Sequence, residues 1–269
     1  MKKLNILAFG ALMLMLFIQS CSTVPLTGRK QLSLVPESEM VTMGLTSYSA
    51  FLKENIISTD KANTSLVNKV GTNISKAVIR YFTDNNMQSS LDGYNWEFNL
   101  IKNDTTQNAW CMPGGKVVVY SGILPVTKDE NGLAVVLSHE IAHAVARHGN
   151  ERMSQELVVQ MGGIALSEAV KQKPAETQTI FNTAYGIGSQ LGVMLPYSRK
   201  HEFEADKLGL ILMAMAGYDP STAVAFWERM SALGNAAPIE LMSTHPSDTR
   251  RIVQIKSSLP EAMKYYTRK

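Results

Sequence analysis

The residues best placed to do chemistry are His139-Glu140-Ile141-Ala142-His143. On a helix, two histidines four residues apart project from one side, one turn above the other. Their imidazoles can then grip a single Zn²⁺, and the intervening glutamate can reach a water on that ion. Zinc lowers the pKa of such a water to about 7, so Glu140 can take its proton near neutral pH. The resulting hydroxide attacks a peptide carbonyl polarised by the same ion. The plain alternative is a chance pentapeptide whose histidines face solvent. Val135, Val136, Leu137, Ile141, Ala142 and Val145 argue against it, because they embed the polar residues in an apolar helix, where polar groups need partners.

A catalytic zinc takes three protein ligands and keeps one position open. His148 lies five residues after His143, about 140° round a continued helix, and is expected to face away. A metzincin would place glycine and histidine where the chain has Ala146 and Gly149, so that class is excluded. A distant carboxylate is expected instead. Glu202 and Asp206 are four apart on the helical pattern of residues 199–215, so Glu202 can bind zinc while Asp206 orients a neighbouring group. Glu204 points elsewhere and reads as solvated. The competing reading of all three acids is surface charge facing Arg199 and Lys207.

The elements that position these groups follow from periodicity. Leu133, Val136, Leu137, Ile141, Ala144 and Val145 make a broad apolar stripe on one helix. Further helices are expected over 37–53, 60–81, 151–171, 175–195, 199–215, 220–233 and 247–256. Tyr94–Leu100 alternates as a half-buried strand, Lys116–Tyr120 is a β-branched run, and Asn108–Met112 is extended and closed by Pro113-Gly114-Gly115. A proline beside a strand argues for a sheet edge. The expectation is a predominantly helical α+β domain over 37–269, with a small sheet whose edge strand flanks the active-site helix.

At the amino end, Lys2 and Lys3 precede an apolar run from Leu4 to Ile18. That is shorter than the roughly twenty residues a membrane span needs, and it reads as a secretory signal over residues 1–20. Ending in Ile18-Gln19-Ser20-Cys21, it resembles a bacterial lipoprotein signal, which implies lipidation of Cys21 and a tether over 21–36. Ser22 favours the outer over the inner membrane. The implied destination is a bacterial cell envelope, facing the periplasm. The composition fits a packed core, with 45% apolar and 18% charged residues. The 26 basic and 23 acidic groups give +3, too weak a balance to argue for nucleic acid. Without Lys2 and Lys3 the count falls to 24 against 23. Cys111 is then the one thiol left, so no disulfide framework is expected.

Taken together, the motifs resemble metallopeptidase family 48, HExxH zincins of the glutamate-ligand type. They are Thr27-Gly28-Arg29-Lys30-Gln31-Leu32, Asn108-Ala109 with Pro113-Gly114-Gly115, Ser138-His139-Glu140-Ile141-Ala142-His143, Ser198-Arg199 with Glu202-Phe203-Glu204-Ala205-Asp206, and His245-Pro246. The resemblance implies one Zn²⁺ per chain on His139, His143 and Glu202, with Glu140 as general base. Asp206 matches an aspartate often given a proton-donor role, although an ionised carboxylate beside cations suits orientation better. Arg199 is similar to an arginine that meets the substrate carbonyl, and Asn108 and Ala109 to the edge where substrate pairs by its main chain. His245 matches a histidine that in some members caps the zinc; the alternative is an exposed residue in a helix-capping loop. The implied activity is hydrolysis of unfolded or misassembled envelope proteins. The rival is a lipoprotein chaperone or binding module whose zinc is structural or permanently capped.

Overall fold

The computed structural model describes residues 21–25, 27–190, 194–234, 240–245 and 249–267. The expected signal over 1–20, the proline after His245 and the start of the helix expected from 247 lie outside them. Two compact units form, one from the stretch ending at Glu37 joined with Gly149–Pro196, the other from Ser38–His148 with Tyr197–Lys269. The architecture is mostly helical with two small sheets, the expected α+β class.

In the first unit, β1 (Cys21–Thr23) pairs antiparallel with β2 (Lys30–Leu32), Cys21 opposite Leu32. The expected tether is therefore a hairpin, and it is held down. Arg29 places two guanidinium nitrogens on the carboxylate of Glu151 at 2.9 and 2.6 Å. Leu34 N–H donates to Ser154 Oγ at 2.9 Å, and Asn150 Nδ2 donates to the Val35 carbonyl at 2.8 Å.

The second unit carries the HExxH motif. Helix α1 (Glu37–Glu54) and helix α2 (Lys61–Asp84) precede the sheet. Asp60 caps α2 by accepting from Asn63 N–H at 3.0 Å, satisfying one of the orphan donors of the first turn. Strands β3 (Glu97–Ile101), β4 (Ala109–Met112) and β5 (Lys116–Tyr120) form a sheet in the order β3-β5-β4. β3 runs parallel to β5 with Glu97 opposite Lys116, and β4 runs antiparallel with Ala109 opposite Val119. Val117, Val118 and Val119 are fully buried, as a continuous β-branched run should be in a central strand. β4 is an edge of the sheet, as the flanking proline suggested.

A short helix, α3 (Leu124–Thr127), leads into α4 (Glu130–Val145), which holds the HExxH motif. Asp129 caps α4 by accepting from Gly132 N–H at 2.9 Å. Buried residues surround the whole of α4, which explains why its apolar pattern runs beyond a single stripe. The remaining helices are α5 (His148–Val170), α6 (Ala175–Ser189), α7 (Leu195–Met215), α8 (Thr222–Gly234), α9 (Glu240–Thr244) and α10 (Thr249–Ala262). Among the described residues, no helix is long and apolar enough to cross a membrane.

Candidate metal centre

Helices α4 and α7 cross where Gly209 meets the backbone of the HExxH turn. A Cβ on Gly209 would lie 3.1 Å from the His139 nitrogen and 3.2 Å from the Ser138 carbonyl, so any larger residue would press the two backbones apart by a few tenths of an ångström. One and two turns earlier on α7, Asp206 and Glu202 are thereby brought over His139 and His143. The third contributor is His245, immediately after α9. That short helix is tied to the sheet edge: Leu241 N–H donates to the Gln107 carbonyl at 3.2 Å, and Asn108 Nδ2 donates to Glu240 Oε1 at 3.0 Å.

Ligand atoms of His139, His143, Glu202 and His245 all lie within 4.8 Å of one another. His139 Nε2 and His143 Nε2 are 3.1 Å apart, and each is 3.4 Å from a carboxylate oxygen of Glu202. His245 Nδ1 lies 3.2 Å from His139 Nε2 and 3.0 Å from Glu202 Oε2. Three ring nitrogens and a carboxylate converge here, and their lone pairs repel unless a proton or a cation lies among them. Glu140 is buried beside them, its Oε1 3.4 Å from His245 Nε2 and without a hydrogen bond among the described residues. The donor set therefore fits a divalent metal, with a carboxylate left over for proton transfer.

Behind the cluster lies a buried ionic layer. His139 Nδ1 is 2.9 Å from Asp206 Oδ1, the carboxylate–histidine contact that fixes a ligand's tautomer and orientation. Arg251, on α10 and 1% exposed, forks onto Asp206 through Nε at 2.7 Å and Nη2 at 2.8 Å. Its Nη1 is 3.3 Å from Glu202, and its guanidinium lies 3.5 Å over the Trp227 ring centroid. Burial works against charge on Asp206, but Arg251 and His139 outweigh it and hold the carboxyl below its ordinary value. Burial likewise opposes charge on Glu202, and the surrounding histidines pull it far down regardless. Glu140 goes the other way, pushed up by burial against the pull of His245 and His139. The site thus favours charge on Asp206 and Glu202, while burial disfavours it on Glu140.

The structure gathers His139, Glu140, His143, Glu202, Asp206 and His245. It does not bring in Arg199, whose side chain is exposed on α7. The arginine in contact with the cluster is Arg251, which the sequence reading passed over. A signal existed: Arg251, Ile255 and Ala262 are all buried on one face of α10, so an arginine sits on an otherwise apolar stripe. Asn108 and Ala109 are buried at the start of β4, and Asn108 Oδ1 accepts from Ala109 N–H at 2.9 Å. Two further expectations are corrected. Glu204 is buried, not solvated, with Oε2 3.1 Å from His148 Nε2. His148 does not face away, because α4 ends at Val145 and Arg147 turns the chain with φ 60°. Its Nδ1 comes back to 2.9 Å from His143 Nδ1.

Residues 71–259 match the family model described as Peptidase family M48. Over 178 residues the chain is 41% identical to the mitochondrial metalloendopeptidase OMA1 of Schizosaccharomyces pombe, covering 65% of this chain and 50% of that protein. The Saccharomyces cerevisiae protein of the same name is 36% identical over 185 residues, covering 66% and 51%. The beta-barrel assembly-enhancing protease of Escherichia coli K12 is 30% identical over 173 residues, covering 60% and 34%. The matched region thus spans about half the length of the first two relatives. The expected destination is corrected by these matches: the two relatives of higher identity are mitochondrial proteins of eukaryotes, not lipoproteins of a bacterial envelope. The periplasmic, outer-membrane placement falls with it.

Proposed function

The chain belongs to peptidase family M48, and on that footing we propose that it is a zinc-dependent endopeptidase holding one Zn²⁺ through His139, His143 and Glu202. The observation that carries the reading is the spacing of the donor atoms around a buried Glu140. Ligands about 2.0–2.1 Å from a tetrahedral ion lie roughly 3.3 Å apart. His139 Nε2, His143 Nε2 and the Glu202 oxygens are separated by 3.1, 3.4 and 3.4 Å. Two imidazoles and one carboxylate also form a ligand set that zinc peptidases use.

When bound, zinc supplies a Lewis acid that polarises the scissile carbonyl and acidifies a water. The rest falls to side chains. Glu140 takes the water's proton at its carboxylate, a step that its upward shift on burial favours by making it the stronger base, and later delivers that proton to the leaving amine. Asp206 accepts the Nδ1 proton of His139 and keeps Nε2 free as a ligand; held ionised by Arg251, it orients and does not act as the acid. The edge position of β4 supports an extended substrate laid beside it by main-chain pairing. Main chain already paired within helices and sheets is not free to pair there, so the substrate class proposed is unfolded or misassembled polypeptide.

The test pairs Glu140→Gln with the native chain in a casein assay, with and without a chelator. Glu140→Gln is expected to keep zinc by elemental analysis and to lose cleavage. Turnover that survives the substitution or the chelator refutes the reading. A second reading, a binding module whose zinc is permanently capped, draws on His245, which stands within the cluster as a fourth donor. On that reading the zinc-loaded native chain binds casein without cleaving it.

A further inference from the structure

The two histidines of the HExxH motif are anchored differently on the side facing away from the metal donors. His139 rests on a carboxylate, Asp206. His143 has a second histidine there, and the carboxylate comes one step later: His143 Nδ1 to His148 Nδ1 at 2.9 Å, then His148 Nε2 to Glu204 Oε2 at 3.1 Å. His148 is 2% exposed and lies flat on the ring of His201, with centroids 4.4 Å apart and planes within 13°. Its plane is thus fixed by stacking as well as by these polar contacts.

The chemistry of the rings orders the protons along this line. For His143 Nε2 to offer a lone pair, the ring proton must sit on Nδ1. A nitrogen–nitrogen contact needs one donor and one acceptor, so His148 Nδ1 accepts, and the proton of His148 is then on Nε2. There a carboxylate is the matching partner, and Glu204 provides one. Reversing the order puts a proton on His143 Nε2, aimed at His139 and Glu202, and destroys the ligand. We propose that His148 and Glu204 are positioning residues that write the Nδ1–H tautomer of His143 and aim its Nε2 lone pair into the metal centre. They form a histidine-relayed version of the carboxylate–histidine contact that fixes metal ligands. The purpose of the tautomer rests on the zinc reading above; the tautomer itself does not.

The test uses the full chain with ¹⁵N-labelled histidine. Long-range ¹H–¹⁵N spectra of the metal-free protein report which nitrogen of His143 is protonated, and competition with a chromophoric chelator reports zinc affinity. His148→Phe keeps the stacked ring and removes the acceptor; it is expected to scramble the His143 tautomer and weaken zinc binding 10- to 100-fold. His148→Asn, whose Oδ1 can stand in for Nδ1, is expected to recover part of that loss. Glu204→Gln, still an acceptor, is expected to lose less than Glu204→Leu. If the Phe or Leu variant fails to fold, the Asn and Gln variants decide by the same two readouts. Folded His148→Phe and Glu204→Leu proteins with native zinc affinity and an unchanged Nδ1–H overturn the proposal. A native chain with His143 protonated on Nε2 overturns it even where zinc binds. A native chain with Nδ1–H that binds no zinc supports the positioning role and fails the metal reading alone.

Discussion

Replacing Arg251 with methionine isolates the charge that holds the buried layer together. The side chain is 1% exposed, makes hydrogen bonds of 2.7 and 2.8 Å to Asp206, and stands 3.3 Å from Glu202. Methionine has a similar reach and keeps contact with Trp227, so the change removes charge more than volume. It strands Asp206, whose ionised form Arg251 does most to favour. Removing one partner of a buried ion pair costs about 3–5 kcal/mol. At roughly 2–4 °C per kcal/mol for a domain of this size, the melting temperature of the metal-free protein should fall by roughly 6–20 °C. Urea unfolding of native and Arg251→Met chains measures the same difference isothermally. Adding Asp206→Asn to Arg251→Met should restore part of the loss, because the stranded charge is gone, with a coupling of about 0.5–3 kcal/mol. Arg199→Met, on an exposed side chain, serves as control and should stay within about 0.5 kcal/mol of native. An Arg251→Met protein equally close to native, or one that Asp206→Asn does not help, would refute the account of the ionic layer.

Three other outcomes are expected. Gly209→Val places branched carbon where a bare Cβ already meets His139 N at 3.1 Å; overpacking of about 1–3 kcal/mol should appear in urea unfolding together with weaker zinc binding, and zinc affinity equal to native counts against the close crossing. His245→Ala should raise casein cleavage by the zinc-loaded chain if His245 occupies the open coordination position, and unchanged rates remove the cap. On β3, burial pushes Glu97 up, but its 3.1 Å pair with Lys116 and the hydroxyl of Tyr48 hold it below its ordinary 4.5. Because the folded value is the lower one, the stabilising contribution is complete above 4.5 and fades as pH falls through the depressed value; an NMR titration midpoint for Glu97 at or above 4.5 contradicts this.

Much of the centre was legible because it is local. The apolar run around the HExxH motif and the four-residue spacings of His139/His143 and Glu202/Asp206 are properties of single helices, and period alone exposes them. What escaped depends on where elements stop. The angle assigned to His148 assumes that α4 continues, but the left-handed Arg147 ends that geometry one residue before His148. Glu204 looked solvated because it lies two residues along from Glu202 and points away from the face that Glu202 shares with Asp206; His148 covers that other face. Arg251 was hidden by neighbours: Arg250 beside it is exposed, and two adjacent arginines read as surface charge until the burial of α10 is known. Choosing Arg199 over Arg251 followed motif position, which carries no information on which cation a distant helix delivers.

The crossing at Gly209 also bears on which ion the protein accepts. Because α4 and α7 meet nearly backbone to backbone there, the HExxH imidazoles and Glu202 start from closely spaced main chains, and their donor atoms lie only 3.1–3.4 Å apart. A narrow cage with few donors discriminates by ionic radius and by coordination number. Calcium, which gathers six to eight oxygens at 2.3–2.6 Å, would need more room and more ligands than this aperture offers, while magnesium demands an octahedron of oxygens and sheds water reluctantly. A small ion content with four ligands and imidazole nitrogen meets no such mismatch. The closeness of that cage then begins at a residue with no side chain.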